Sequence, residues 1–117
     1  MTPNIIFMGW NEAKTGREGR AMELFQRVQG WYGKLQSEGE IESHETILIG
    51  RHGGDMNGFT VIRGDSAKLA ALRTSDEMTE VIMEASLCLD GFGILDAYGG
   101  AELMNVMSKW GEAVAKS

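Results

Sequence analysis

Apolar and polar residues recur along the chain with two periods, and their order predicts strand, helix, strand, strand, helix, strand and a final helix. The clearest helix follows residue 18, where apolar residues recur at the spacing of one helical face. That face comprises Ala21, Leu24, Phe25, Val28, Trp31, Tyr32 and Leu35. Strands are predicted over 4–10, 41–51, 59–63 and 91–98, with the other helices around Leu69 and Leu72, over 74–89 and over 101–116.

Signals for helix ends support these boundaries. Thr15 with Glu18, and Thr74 with Glu77, each match a capping box, in which the threonine accepts from the helix start and the glutamate reaches back. Gly39 is placed to end the first long helix, because glycine adopts the backbone conformation that follows a last helical turn. The first long helix and the helix over 74–89 therefore each have a predicted start.

The order of elements predicts an α+β fold. Two strand–helix–strand halves joined by a hairpin give a ferredoxin-like βαββαβ sandwich, with a four-stranded antiparallel sheet, helices on one face and an extra C-terminal helix. Residues 5–8 are all apolar, and the fourth strand also lacks clean alternation, so both faces of the sheet should be buried. The C-terminal helix could cover part of the second face. A second copy of the sheet, giving a homodimer, is the more economical cover.

Length and charge narrow the class of protein. A chain of 117 residues suits a single domain over 1–117. Its net charge of −6 disfavours nucleic-acid binding, and its longest apolar runs are far shorter than the roughly 20 residues of a membrane span. The start of the chain lacks the basic region of a signal peptide, and the single cysteine, Cys88, suits a reducing compartment. We therefore expect a cytoplasmic protein with no nucleic-acid or membrane partner.

The element order and the two apolar sheet faces resemble the dimeric α/β-barrel superfamily of ferredoxin-like proteins. That superfamily includes cofactor-free monooxygenases, YCII-type and EthD-type proteins, and muconolactone isomerase-like enzymes. The resemblance covers nearly the whole chain and implies two sheets facing each other, no bound cofactor, and a pocket between each sheet and its helices. Such a pocket is the expected ligand site.

His44 and Asp96 are the candidate catalytic residues. A histidine paired with a carboxylate from another strand can act as a base near neutral pH. The resemblance also points to His44, because YCII-type and EthD-type proteins are associated with pocket histidines. The alternative places His44 in the polar start of an edge strand and Asp96 in an ion pair at the sheet rim, with Arg51 or Arg63.

Trp10, Asn11, Tyr32 and Arg51 are the candidate ligand-binding residues. Trp10 and Asn11 place a large aromatic ring beside an amide at a strand end, whereas Tyr32 lies at a core position of its helix and could simply pack there. A metal site is not expected, because the spacing of His44 and His52 matches no ligand motif. A turn is the better interpretation of the glycine-rich segment around His52.

Two classes of function fit these residues. The first is a homodimeric module that binds a small molecule or serves assembly, with itself and a small apolar or aromatic compound as partners. The second is a cofactor-free enzyme of the dimeric α/β-barrel type, a monooxygenase, isomerase or lyase acting on a small carbonyl compound. We favour the first, because the chain contains no demonstrable catalytic constellation and one fold supports many functions.

Overall fold

The elements of the structure, a computed structural model that describes residues 2–117, follow the predicted order. The region predicted as a short and a longer helix forms two helices in succession. The bounds are β1 Ile5–Trp10, α1 Glu18–Ser37, β2 Ser43–Leu48, β3 Gly58–Arg63, α2 Ser66–Arg73, α3 Asp76–Cys88, β4 Gly93–Ala97 and α4 Ala101–Lys116. No helix within residues 2–117 is both long enough and apolar enough to cross a membrane.

The four strands form one antiparallel sheet in the order β2-β3-β1-β4, and this confirms the predicted ferredoxin-like fold. β1 and β3 are the inner strands, while β2 and β4 form the edges. Ile6 lies opposite Ile62 on one side and opposite Asp96 on the other. Since directly opposed residues point to the same face, the register assigns every strand residue to one of two faces.

The helix face of the sheet carries the core. Its central residues Ile6, Met8, Thr60 and Ile62 are buried beneath α1, α2 and α3. The helices and a neighbouring loop complete this core with Leu24, Val28, Tyr32, Ile41, Leu69, Met78, Val81, Ala85 and Cys88. Burial of this apolar cluster is the main favourable contribution to folding.

The opposite face, called the outer face below, is mainly apolar. It presents Ile5, Phe7, Ile47, Phe59, Val61 and Leu95. Its polar residues are Ser43 and Glu45 on the edge strand β2 and Arg63 at the end of β3. Phe7 and Phe59 stack at its centre with ring centroids 5.4 Å apart. β1 is therefore apolar on both faces, but the predicted burial of both faces is reached only on the helix face, because the outer face has no covering layer in the single chain.

The C-terminal helix α4 does not supply that layer. None of its residues is buried, and no strand packs extensively against it. The radius of gyration is 16.0 Å, whereas a compact chain of this length has about 13 Å, because α4 projects from the sandwich. Of the two predicted covers for the outer face, the C-terminal helix is thus excluded within one chain.

Helix capping agrees with the sequence at the end of α1 and differs at the starts of α1 and α3. Gly39 follows α1 with a φ of +76°, as predicted. The first capping box was wrong, since α1 begins after Arg17 with no side-chain cap. The second is displaced by one residue, because the hydroxyl of Ser75, and not that of Thr74, accepts from the amide of Met78.

Ser75→Ala is expected to lower the free energy of unfolding by about 1 kcal/mol, because the amide of Met78 loses its acceptor at the partly buried start of α3. Urea unfolding followed by circular dichroism measures the change. Thr15→Ala is the matched control, since Thr15 is exposed and caps no helix. Equal losses in both variants would contradict the assignment of Ser75 as the cap.

Candidate ligand pocket between the sheet and the helices

A cavity of about 360 Å³ opens between the helix face of the sheet and the helices α1 and α3. Its volume falls within the range of about 300–1,000 Å³ that is typical of small-molecule sites. Its lining is mostly apolar and comprises Met8, Trp10, Ala13, Glu18, Ala21, Met22, Leu24, Phe25, Val28, Gln29, Tyr32, Leu48, Asn57, Thr60, Val81, Ala85, Leu89 and Phe92. This cavity is called the pocket below.

A short chain of hydrogen bonds runs along one side of the pocket. The amide nitrogen of Gln29 donates to the hydroxyl of Thr46 at 2.8 Å, and the hydroxyls of Thr46 and Thr60 are 2.8 Å apart. The carbonyl oxygen of Gln29 accepts no hydrogen bond from the side chains of residues 2–117. Because Gln29 lines the pocket and its oxygen has no partner there, its side-chain amide retains acceptor capacity for a ligand donor.

Trp10 forms a wall of the pocket at the end of β1. Its indole lies directly over Gly58, where a Cβ would come within 2.8 Å of the ring. The pairing of Trp10 with Gly58 in the sheet register explains this close approach. The absence of a side chain at residue 58 therefore sets the position of an aromatic surface and of an indole N–H donor.

Tyr32 lies deeper in the pocket and is fully packed. Its hydroxyl donates to the sulfur of Met8 at 3.7 Å. Burial raises the pKa of Tyr32 well above its usual range, so its side chain is a neutral phenol at neutral pH. The predicted candidates Trp10 and Tyr32 thus both line the pocket, and Tyr32 is also a core residue.

His44 lies beside the pocket without lining it. The imidazole packs against Tyr32, with ring centroids 5.7 Å apart and planes inclined by 51°. Its Nδ1 is buried and has no hydrogen-bond partner among residues 2–117. Tyr32 thus contacts His44 and also lines the pocket.

The structure does not bring His44 and Asp96 together. Both point to the helix face, but they lie on the two opposite edge strands, three strand spacings or about 14 Å apart. Asp96 is exposed and lines a second, smaller cavity of about 250 Å³ together with Arg73 of α2. The two residues therefore cannot form a catalytic pair within one chain.

Asn11 and Arg51 lie outside the pocket lining. The backbone amide of Asn11 donates to the carbonyl of Asp90 at 2.8 Å, and its side chain packs on Gly91. Arg51 is exposed in the loop between β2 and β3. His52 in the same loop bonds to the carbonyl of Met56 at 2.8 Å, as befits a turn.

Sequence reasoning missed the hydrogen-bonded polar side chains along one side of the pocket. Gln29 lies four residues after Phe25 and three before Tyr32, so it interrupts the apolar face of α1. Thr46 and Thr60 become neighbours only through the β2–β3 register. The polar interruption at Gln29 was visible in the sequence, whereas the threonine pair depended on the exact hairpin alignment.

Comparison with known proteins supports the fold and extends no further. Neither the known protein-family models nor the curated proteins include a match to this chain. Among solved structures, the chain is similar to a dimeric protein of unknown function and ferredoxin-like fold from Bacteroides fragilis NCTC 9343. The two share 11% sequence identity with a TM-score of 0.54, over 80% of this chain and 93% of the other.

Proposed function

We propose that the protein is a homodimeric module that binds one small, mainly apolar molecule in the pocket of each copy. The observation that carries this proposal is the cavity of about 360 Å³ between the sheet and the helices. The apolar atoms that line such a cavity lack contact partners on one side, and they gain dispersion contacts when a ligand fills it. Its volume and its apolar lining therefore favour an occupant with an aromatic or branched apolar body.

The polar groups of the pocket specify the ligand further. The free carbonyl oxygen of Gln29 suits a hydroxyl or N–H donor, and the indole N–H of Trp10 suits a carbonyl or ether oxygen. Glu18 is the only acidic residue of the lining, and no lysine, arginine or histidine belongs to it. An uncharged compound with one or two polar atoms fits these walls better than an anion does.

The lining favours binding over catalysis. Its titratable residues are Glu18 and Tyr32, and burial raises the pKa of Tyr32. Neither histidine contributes to the lining, and His44 and Asp96 are separated by the width of the sheet. Acid–base chemistry near neutral pH requires a group poised to titrate there, and binding requires none.

The apolar outer face supports the homodimeric part of the proposal. A solvent-facing sheet normally alternates polar and apolar side chains, but here Phe7, Phe59 and Val61 form one apolar patch across the inner strands. The similar Bacteroides fragilis protein is dimeric. Two outer faces brought together by a twofold axis would cover each other.

Ala21→Phe is expected to lower the affinity for the neutral fluorescent probe N-phenyl-1-naphthylamine by at least about tenfold. Ala21 lines the pocket from α1, so a phenyl ring there occupies the space that the probe would take. Fluorescence titration of the full-length protein measures the affinity. A tenfold loss corresponds to about 1.4 kcal/mol of binding free energy.

Ala67→Phe on α2 is the matched control, because residue 67 is exposed and lines neither cavity. It adds the same apolar ring outside the pocket and should leave the affinity unchanged. Thermal unfolding of both variants verifies that each is folded. Equal affinities in Ala21→Phe and the wild type would contradict the pocket as the binding site.

A further inference from the structure

The last helix carries an apolar stripe that its own chain leaves bare. Leu103, Met107, Trp110 and Val114 recur at alternating steps of four and three residues, which places them along one side of α4. All four are exposed, and the indole of Trp110 is 67% exposed. Glu102, Ser108, Lys109 and Glu112 occupy other sides of the helix. The four apolar residues are called the α4 stripe below.

The connection between β4 and α4 fixes where the stripe begins. The side chain of Asn4 bonds twice to the backbone of Gly99, donating to its carbonyl and accepting from its amide, each at 2.9 Å. Gly100 then turns the chain with a φ of +57°, a conformation that favours glycine. Leu95 of the outer face and Leu103 of the stripe are thus separated by one short, anchored turn.

The outer face alone is small for a stable interface. Four strands of five or six residues cover a footprint of about 18 by 19 Å, or about 350 Å². A standard interface buries about 800 Å² of each partner. The stripe runs from Leu103 to Val114, or about 17 Å along the helix axis, and at a helix width of about 10 Å it adds about 170 Å² of apolar footprint. The outer face and the stripe together offer about 520 Å², which is nearer to the area of a standard interface than the outer face alone.

We infer that α4 is an arm that packs its stripe onto the second copy of the chain, next to the paired outer faces. This inference rests on the proposed homodimer and adds a second element to its interface. A helix of 16 residues has little stability in water without packing, so the arm also gains its order from the partner copy. The solvated side of α4, with its charged residues, would remain in water.

Trp110→Glu tests the arm in the full-length protein. The dissociation constant of the dimer, measured by sedimentation over a range of concentrations, is expected to rise at least about thirtyfold, because a buried interface tryptophan is replaced by a charge. Ser108→Glu adds the same charge on another side of α4 and should change the dissociation constant of the dimer less than threefold. No α4 residue is buried in the single chain, so both variants should keep the wild-type fold.

Amide hydrogen exchange gives an independent measurement. Residues 101–116 of the wild type should be protected above the dissociation constant and exchange rapidly on dilution below it. Two results would overturn the arm: a Trp110→Glu dimer as tight as the wild type, or an α4 that exchanges rapidly at every concentration. In either case the sheet-to-sheet dimer would stand. A wild type that stays monomeric would instead overturn the homodimer, and the arm with it.

Discussion

Ile62→Ala is expected to lower the free energy of unfolding by about 3–4 kcal/mol. Ile62 is 0% exposed and lies on an inner strand, between Ile6 of β1 and His44 of β2 in the register. Removing its three outer carbons leaves a void that a rigid sheet cannot close, so the loss includes both transfer and cavity terms. Thermal unfolding should show a fall of roughly 10–15 °C for a chain of this length.

Val61→Ala is the control for this prediction, because residues 61 and 62 are adjacent and point to opposite faces of the same strand. Val61 is half-buried on the outer face, so in the monomer its truncation should cost about 1 kcal/mol or less. The two variants are compared at protein concentrations below the dissociation constant of the dimer. Equal losses at both positions would contradict the assignment of the core to the helix face.

The architecture could be predicted from the sequence because local patterns and global topology agree. The apolar face of α1 repeats over about four turns, and the glycines and turn residues separate the strands. The uninterrupted apolar run at 5–8 predicted burial of both faces of β1, and within one chain only the helix face is buried, while the other face is apolar without a covering layer. These signals come from residues that are close in sequence, so they can be interpreted without knowledge of how the elements pack.

The pocket could be predicted only in part, because it depends on register and on distances across the sheet. Trp10 at the end of β1 and Tyr32 on the apolar face of α1 both line the pocket, as their positions in the sequence indicated. The pairing of His44 with Asp96 failed on topology: the strand order places β2 and β4 at opposite edges. Thr46 lies opposite Thr60 only in the observed register of β2 and β3. An error of one residue in the predicted register would have placed Thr46 on the other face of the sheet.

Phe59→Lys is expected to convert the dimer to a monomer, raising its dissociation constant by at least about a thousandfold. Phe59 lies on the inner strand β3 and stacks on Phe7 of the other inner strand, in the apolar patch of the outer face. Twofold symmetry would place a lysine from each copy in the same apolar interface. An unpaired buried charge costs about 3–5 kcal/mol, and the two lysines would also repel each other.

Sedimentation velocity over a range of concentrations measures this loss. Ser86→Lys is the matched control, because Ser86 is exposed on α3, on the opposite side of the sheet, and receives the same charge. A folded Phe59→Lys protein that remains as dimeric as the wild type would contradict the outer face as the interface. The pocket opens on the other side of the sheet from Phe59. A monomeric Phe59→Lys protein that still binds the naphthylamine probe would therefore separate the two parts of the proposed function. Binding would then belong to the single chain, and dimer formation to the outer face that contains Phe59.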